Sequence, residues 1–176
     1  MATETVRSSD AADDATLDAA IREFRIHGFV GTSVQLLVNA TGRSRSSLYN
    51  RFGDKNGLFV AALERYLEET CPFGEGETTV AQLRTLIEFL HSDGELSPCL
   101  LARSCSELPD LPEAARPLIT AALERQWNAM IDSPSGNGDV NRGTVALALR
   151  HGISSLAAAG VPPEVLHSAV DTYVGN

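Results

Sequence analysis

The chain has 176 residues, 43% hydrophobic and 21% charged, with a net charge of −9. This is the make-up of an ordinary globular protein of one domain or two small ones, and it excludes a mostly disordered, collagen-like or coiled-coil chain. No run nears the roughly 18 apolar residues of a membrane span, Met1 to Ala15 is too polar and acidic for a secretory signal, and three unevenly spaced cysteines suit a reducing compartment, so the chain is expected in the cytoplasm.

The first helix signal runs from about Ala15 to His27, where Leu17, Ala20, Ile21 and Phe24 share one apolar face. Asp14 or Thr16 caps it, and Gly28 stops it. A short second helix begins after Thr32 or Ser33 and carries Val34, Leu37 and Val38; Gly42 turns the chain. Ser44 is the cap of a third helix, Arg45 to Arg51, with Leu48 and Phe52 facing inward and Gly53 as its end. Asp54 caps a fourth, with a broad stripe of Leu58, Phe59, Ala62, Leu63, Tyr66 and Leu67. A loop follows at residues 72–76. The fifth helix carries Leu83, Leu86, Ile87 and Leu90 and closes near Gly94; the sixth spans Pro98 to Leu108. The seventh runs through Leu118, Ala122, Leu123, Trp127 and Met130, and either begins at Pro117 or bends there. After a loop at residues 133–138, an eighth covers Val140 to Ala159, and a ninth opens at Pro162 and Pro163. With no β-branched alternation, the fold class is all-α with about nine helices.

Two short helices joined by a glycine turn form a helix-turn-helix candidate, a weak signal alone. The polar residues sharpen it. Opposite Leu48 and Phe52, the third helix offers Arg45, Ser46, Ser47, Tyr49 and Asn50. Arg pairs bidentately with guanine, Asn with adenine, and hydroxyls with bases or phosphates. Thr32 and Ser33 sit where free N–H groups favour a phosphate, and Lys55 stands at the start of the fourth helix as a backbone clamp. The net charge alone argues against nucleic acid. Yet residues 15–66 carry a net +3, set between an acidic N-terminus of −3 and an acidic body of −9.

Residues 16–67 resemble the DNA-binding domain of the TetR/AcrR family of one-component regulators. The matching string runs from Thr41-Gly42-Arg43-Ser44-Arg45 through Leu48-Tyr49-Asn50-Arg51-Phe52 to Lys55-Asn56-Gly57-Leu58-Phe59. Upstream, Leu17 to Ala20, Phe24, Gly28-Phe29 and Thr32-Ser33-Val34 also match. The resemblance covers nearly a third of the chain closely. It implies that Thr32, Tyr49 and Lys55 hold phosphates, and that Arg45, Ser46, Ser47 and Asn50 face bases or nearby backbone, with the cap Ser44 and Ser33 on the same surface. Arg43 departs from the apolar residue usual there; it either snorkels out to a phosphate or loosens the turn. Asn56-Gly57 replaces a stronger helix-forming pair.

The expected organisation is a disordered tail over 1–13, a DNA-binding unit over 14–60, and a ligand-sensing and dimerising body over 61–176. The resemblance implies a repressor that binds a palindromic operator as a homodimer and is released by a small, mainly apolar ligand. A pocket walled by Leu63, Tyr66, Leu67, Leu90, Leu101, Trp127, Met130 and His151 is expected for that ligand, and residues about 140–174 for the dimer. An activator, a ligand-independent member, or a small helical enzyme or adaptor without DNA binding are the alternatives. No phosphate loop, nucleophile elbow or metal-ligand spacing is present, so no catalysis, cofactor or metal is expected. Cys99 and Cys105, about 240° apart around one helix, read as buried hydrophobes rather than as redox or electrophile sensors.

Overall fold

The computed structural model describes the backbone of residues 2–69, 77–91 and 98–174, and side chains within 12–69, 77–91 and 98–172. Cys71, the loop expected at 72–76 and the stop expected at Gly94 lie outside the described residues.

Among these residues the structure is entirely helical. The elements are α1 (Ala2–Gly31), α2 (Val34–Thr41), α3 (Arg45–Phe52), α4 (Lys55–Glu69), α5 (Thr79–Leu90), α6 (Leu100–Ser106), α7 (Ala115–Asp132), α8 (Val140–Ala158) and α9 (Pro163–Val174), with a single 3-10 turn at Leu108–Asp110. Pro117 sits in the first turn of α7, where its missing N–H is harmless, so the helix begins there without a bend.

α1 begins at Ala2, ahead of the start expected near Ala15. Two acidic residues of α1 find partners across the fold. Asp13 pairs with Arg43 and Arg51, and Asp14 joins Asp18 on Arg65 of α4. The expected cap at Thr16 is absent because its hydroxyl bonds back to the Ala12 carbonyl, inside the helix.

The apolar face of α1 packs on α4. Phe24, Phe29 and Phe59 form an aromatic cluster, with Phe59 edge-on to each of the others at 5.0 Å between centroids. This cluster continues through Leu58, Ala62, Leu63 and Tyr66 into a core shared with α5, α6 and α7. α7 lies along α8, while α5 supports both α8 and α9. α6 is the hub. It touches α1 and α4 on one side and α7 and α8 on the other.

Candidate nucleic-acid interface

Local chemistry sets the two short helices. Ser33 caps α2 by accepting the Leu36 N–H at 3.1 Å, and Ser44 caps α3 by accepting the Ser47 N–H at 3.2 Å. Between them Gly42 takes a left-handed conformation and donates its N–H to the Val38 carbonyl. Leu37 and Leu48 anchor the inner faces. α3 then turns Arg45, Ser46 and Asn50 fully outward, with Ser47 and Tyr49 half-buried on its flanks. The Arg45 guanidinium lies 5.7 Å from the centre of the Tyr49 ring, one turn along. That contact orients the arginine before any partner arrives. α2 adds a polar pair missed from the sequence, Gln35 and Asn39, joined at 2.9 Å on the exposed surface. Their i, i+4 spacing was the available signal.

Three of the residues expected on DNA have partners within the fold. Thr32 is 1% exposed, and its hydroxyl donates inward to the Gly28 carbonyl at 2.5 Å, so its side chain does not reach a phosphate. Lys55 is also committed inward. Its ammonium donates to the carbonyls of Phe29 at 2.9 Å and Thr32 at 3.1 Å, and lies 4.2 Å from the centre of the Phe29 ring. These carbonyls are left over where α1 ends, and a cation completes them. Burial lowers the Lys55 pKa, against an opposing pull from Glu107. Arg43 does snorkel outward, but to the Asp13 carboxylate at 3.2 Å. The same carboxylate takes Arg51 at 2.6 Å, so Asp13 straps the turn and the end of α3 to α1.

Lys55→Met should therefore act mainly on stability. Hydrogen bonds from a charged donor contribute about 1.5–3 kcal/mol, and urea unfolding should show a loss of that order. The salt dependence of binding to any duplex should change by less than one ion.

Gly57, a poor helix former, has a packing reason. A Cβ there would overlap the Phe52 carbonyl at the start of α4, while its N–H is capped by Asp54 at 2.8 Å.

Most residues expected to wall the ligand pocket are buried. Leu63, Tyr66, Leu67, Leu90, Leu101 and Met130 belong to the packed interior, each at most 7% exposed. Trp127 is on the surface instead, its indole N–H bonded to the Thr144 hydroxyl at 3.0 Å. An apolar cavity of about 350 Å³ lies elsewhere, between α5, α8 and α9, lined by Leu83, Val145, Leu149, Ile153, Leu156 and Val170 above small residues Ala148, Gly152 and Ala169.

His151, half-buried on α8, has its pKa lowered by burial and then by Arg150 beside it. A histidine that titrates lower when folded takes its proton first in the unfolded chain. Its share of stability is complete above about 6.5, the unfolded value, and declines as pH falls toward the folded value. His151→Gln should flatten that part of the stability profile between pH 7.5 and 5, read by urea unfolding. Cys99 is buried, with the Tyr66 hydroxyl 3.6 Å from its sulfur, and burial raises the Cys105 pKa. Both positions suit small hydrophobes better than reactive thiolates.

No cluster of metal-binding side chains occurs among the described residues, nor a helix long and apolar enough to cross a membrane.

Comparison with known proteins converges on one family. Residues 17–62 match the profile described as "Bacterial regulatory proteins, tetR family". Over 55 residues the chain is 47% identical to the HTH-type transcriptional repressor ComR of Escherichia coli K12, a match spanning 31% of this chain and 26% of that protein. The chain thus covers about a quarter of the length of the curated relatives it matches. The whole fold is similar to solved structures. A cysteine-substituted CifR, a TetR family transcriptional regulator complexed with 26-bp operator DNA, superposes with a TM-score of 0.71 at 24% identity, covering 90% of this chain and 93% of that one. A TetR family regulator from Agrobacterium tumefaciens gives 0.76 at 17% identity, covering 94% and 97%.

Proposed function

We propose that this chain, which belongs to the TetR family through residues 17–62, is a one-component transcriptional repressor and not an enzyme. The observation that carries the reading is α3. It is a capped helix of eight residues whose inner side is anchored by Leu48 and whose outer side presents Arg45, Ser46 and Asn50. Such a helix fits the major groove, with its N-terminal residues nearest the base edges. Ser33, Ser44, Ser47 and Tyr49 flank it and supply hydroxyls for the backbone, a role that carries affinity rather than sequence choice.

One such helix reads a half-site. A homodimer reads a palindrome, with the two helices about one turn, ~34 Å, apart. The surface for that dimer is the α8–α9 face. Val145, Leu156 and Val165 are each about half exposed there, beside the apolar groove. A Cβ built on Gly152 meets nothing within 4 Å, so the groove floor is open to a second copy. Under a two-fold axis the knobs of one protomer face the groove of the other.

Release by a small, mainly apolar ligand completes the reading. A ligand that enters among the buried residues of α4 to α7 shifts the population toward a form with a different helix spacing.

The test is selection from random-sequence duplexes by the purified chain, followed by titration of the enriched duplex at several salt concentrations. A palindromic motif bound with a steep salt dependence supports the reading. No enrichment, or binding indifferent to salt, overturns it in favour of an adaptor or enzyme.

A further inference from the structure

α6 is bound to α1 at both of its ends. Just ahead of it, the Pro98 carbonyl accepts the Arg25 Nε–H at 2.7 Å, and the Arg25 guanidinium also rests 5.0 Å from the centre of the Phe89 ring. At its far end Glu107 reaches across the fold. Its carboxylate accepts the backbone N–H of Phe29 at 2.6 Å and that of Val30 at 3.4 Å, 78 and 77 residues away in sequence.

The place it grips is the break in α1. Gly28 has φ +73 and ψ 177, a conformation outside the helical region. The break frees two N–H groups on one side of the Phe29 peptide, and Glu107 takes them. On the other side Lys55 takes the Phe29 carbonyl. A carboxylate from the body and an ammonium from the DNA-binding unit thus hold one stretch of backbone between them. That stretch leads directly into Ser33 and α2. Gly28 suits this place, since its φ of +73 strains other residues and a Cβ there would displace the Glu107 carboxylate. α6 also packs on α7 and α8, the second of which carries part of the body's exposed apolar face. Any shift of α6 on the body therefore pulls directly on the corner between α1 and α2.

We propose that Glu107 is a positioning residue for operator binding, the strap through which the body fixes the orientation of the helix-turn-helix and hence the spacing of the two half-sites. This rests on the DNA-binding reading above. Glu107 touches no DNA; it acts through the Phe29–Val30 backbone.

The experiment repeats the random-duplex selection with full-length wild type, Glu107→Ala and Glu107→Gln, and measures amide exchange at Phe29 and Val30. Wild type should enrich a single half-site spacing. Glu107→Ala should enrich the same half-site at several spacings, with exchange at both amides at least tenfold faster. Glu107→Gln keeps an oxygen acceptor and should restore the single spacing, which loss of stability alone does not explain. If Glu107→Ala does not fold, Gly28→Ala, which drives the carboxylate off its seat from the other side, should give the broadened spacing. A single unchanged spacing despite fast exchange overturns the positioning role, and unchanged exchange overturns the strap itself. Failure of wild type to enrich any duplex overturns the DNA reading and the spacing role together. It is told apart from failure of Glu107 alone, in which wild type enriches a motif and the variants enrich it identically.

Discussion

Arg45→Ala should bring the affinities for a selected operator and for a scrambled duplex of the same length close together. Arg45 is the first residue of α3, exposed, and braced on the Tyr49 ring. A bidentate contact to a base discriminates by about 1–3 kcal/mol, and a symmetric dimer makes it twice. Removing it should weaken operator binding by that amount per half-site and scrambled binding far less. Tyr49→Phe is the contrasting change. It keeps the ring under Arg45 and removes only the hydroxyl, so it should lower both affinities by a similar small factor, as expected for a backbone contact. Fluorescence anisotropy on the two duplexes at one salt concentration reads both variants. Equal losses on the two duplexes for Arg45→Ala would make Arg45 a phosphate contact, leaving Asn50, and Gln35 and Asn39 on α2, to carry the base reading.

The recognition helix was legible in the sequence because everything that makes it is local. The caps at Ser33 and Ser44 act over three residues, Gly42 turns the chain within one, and the spacing of Leu48 and Phe52 divides inside from outside. The family resemblance added roles to positions already grouped by that geometry. What the sequence concealed is held across distance. Asp13 finds Arg43 and Arg51 from 30 and 38 residues away. Lys55 finds two carbonyls 26 and 23 residues upstream, so a residue expected on DNA also caps α1. No periodicity encodes such pairings. The pocket is illegible for a different reason. A stripe such as Leu63, Tyr66 and Leu67 states which face of α4 is turned from water, and it says nothing of whether side chains or a ligand fill the space it faces. Filling depends on the summed volumes of several helices. Here Leu63, Tyr66 and Leu67 are buried, and an apolar opening lies between α5, α8 and α9, on the face already expected to meet another copy.

That opening yields the largest expected effect. Leu156→Glu should convert the protein to a monomer and lower operator affinity by at least about 100-fold. Leu156 is 50% exposed on α8 at the edge of the apolar groove, so the isolated chain tolerates a carboxylate there with little loss of stability. In a two-fold dimer the same carboxylate would be taken out of water twice, against apolar groups with no counter-charge, a cost of several kcal/mol per ion. Loss of the dimer makes the second half-site an independent partner. The linked second contact, commonly a gain of 10²–10⁴ in avidity, then disappears, while binding of a single half-site through α3 persists. Sedimentation at micromolar concentration should show the 18.8 kDa chain alone for the variant and twice that mass for the wild type. Ile26→Glu supplies the control, since Ile26 is 52% exposed on α1, away from the groove. It should leave the mass unchanged. A Leu156→Glu protein that still sediments as a dimer would move the interface off the α8–α9 face, and the exposed surface around Trp127 and Val140 would be the next place to introduce the charge.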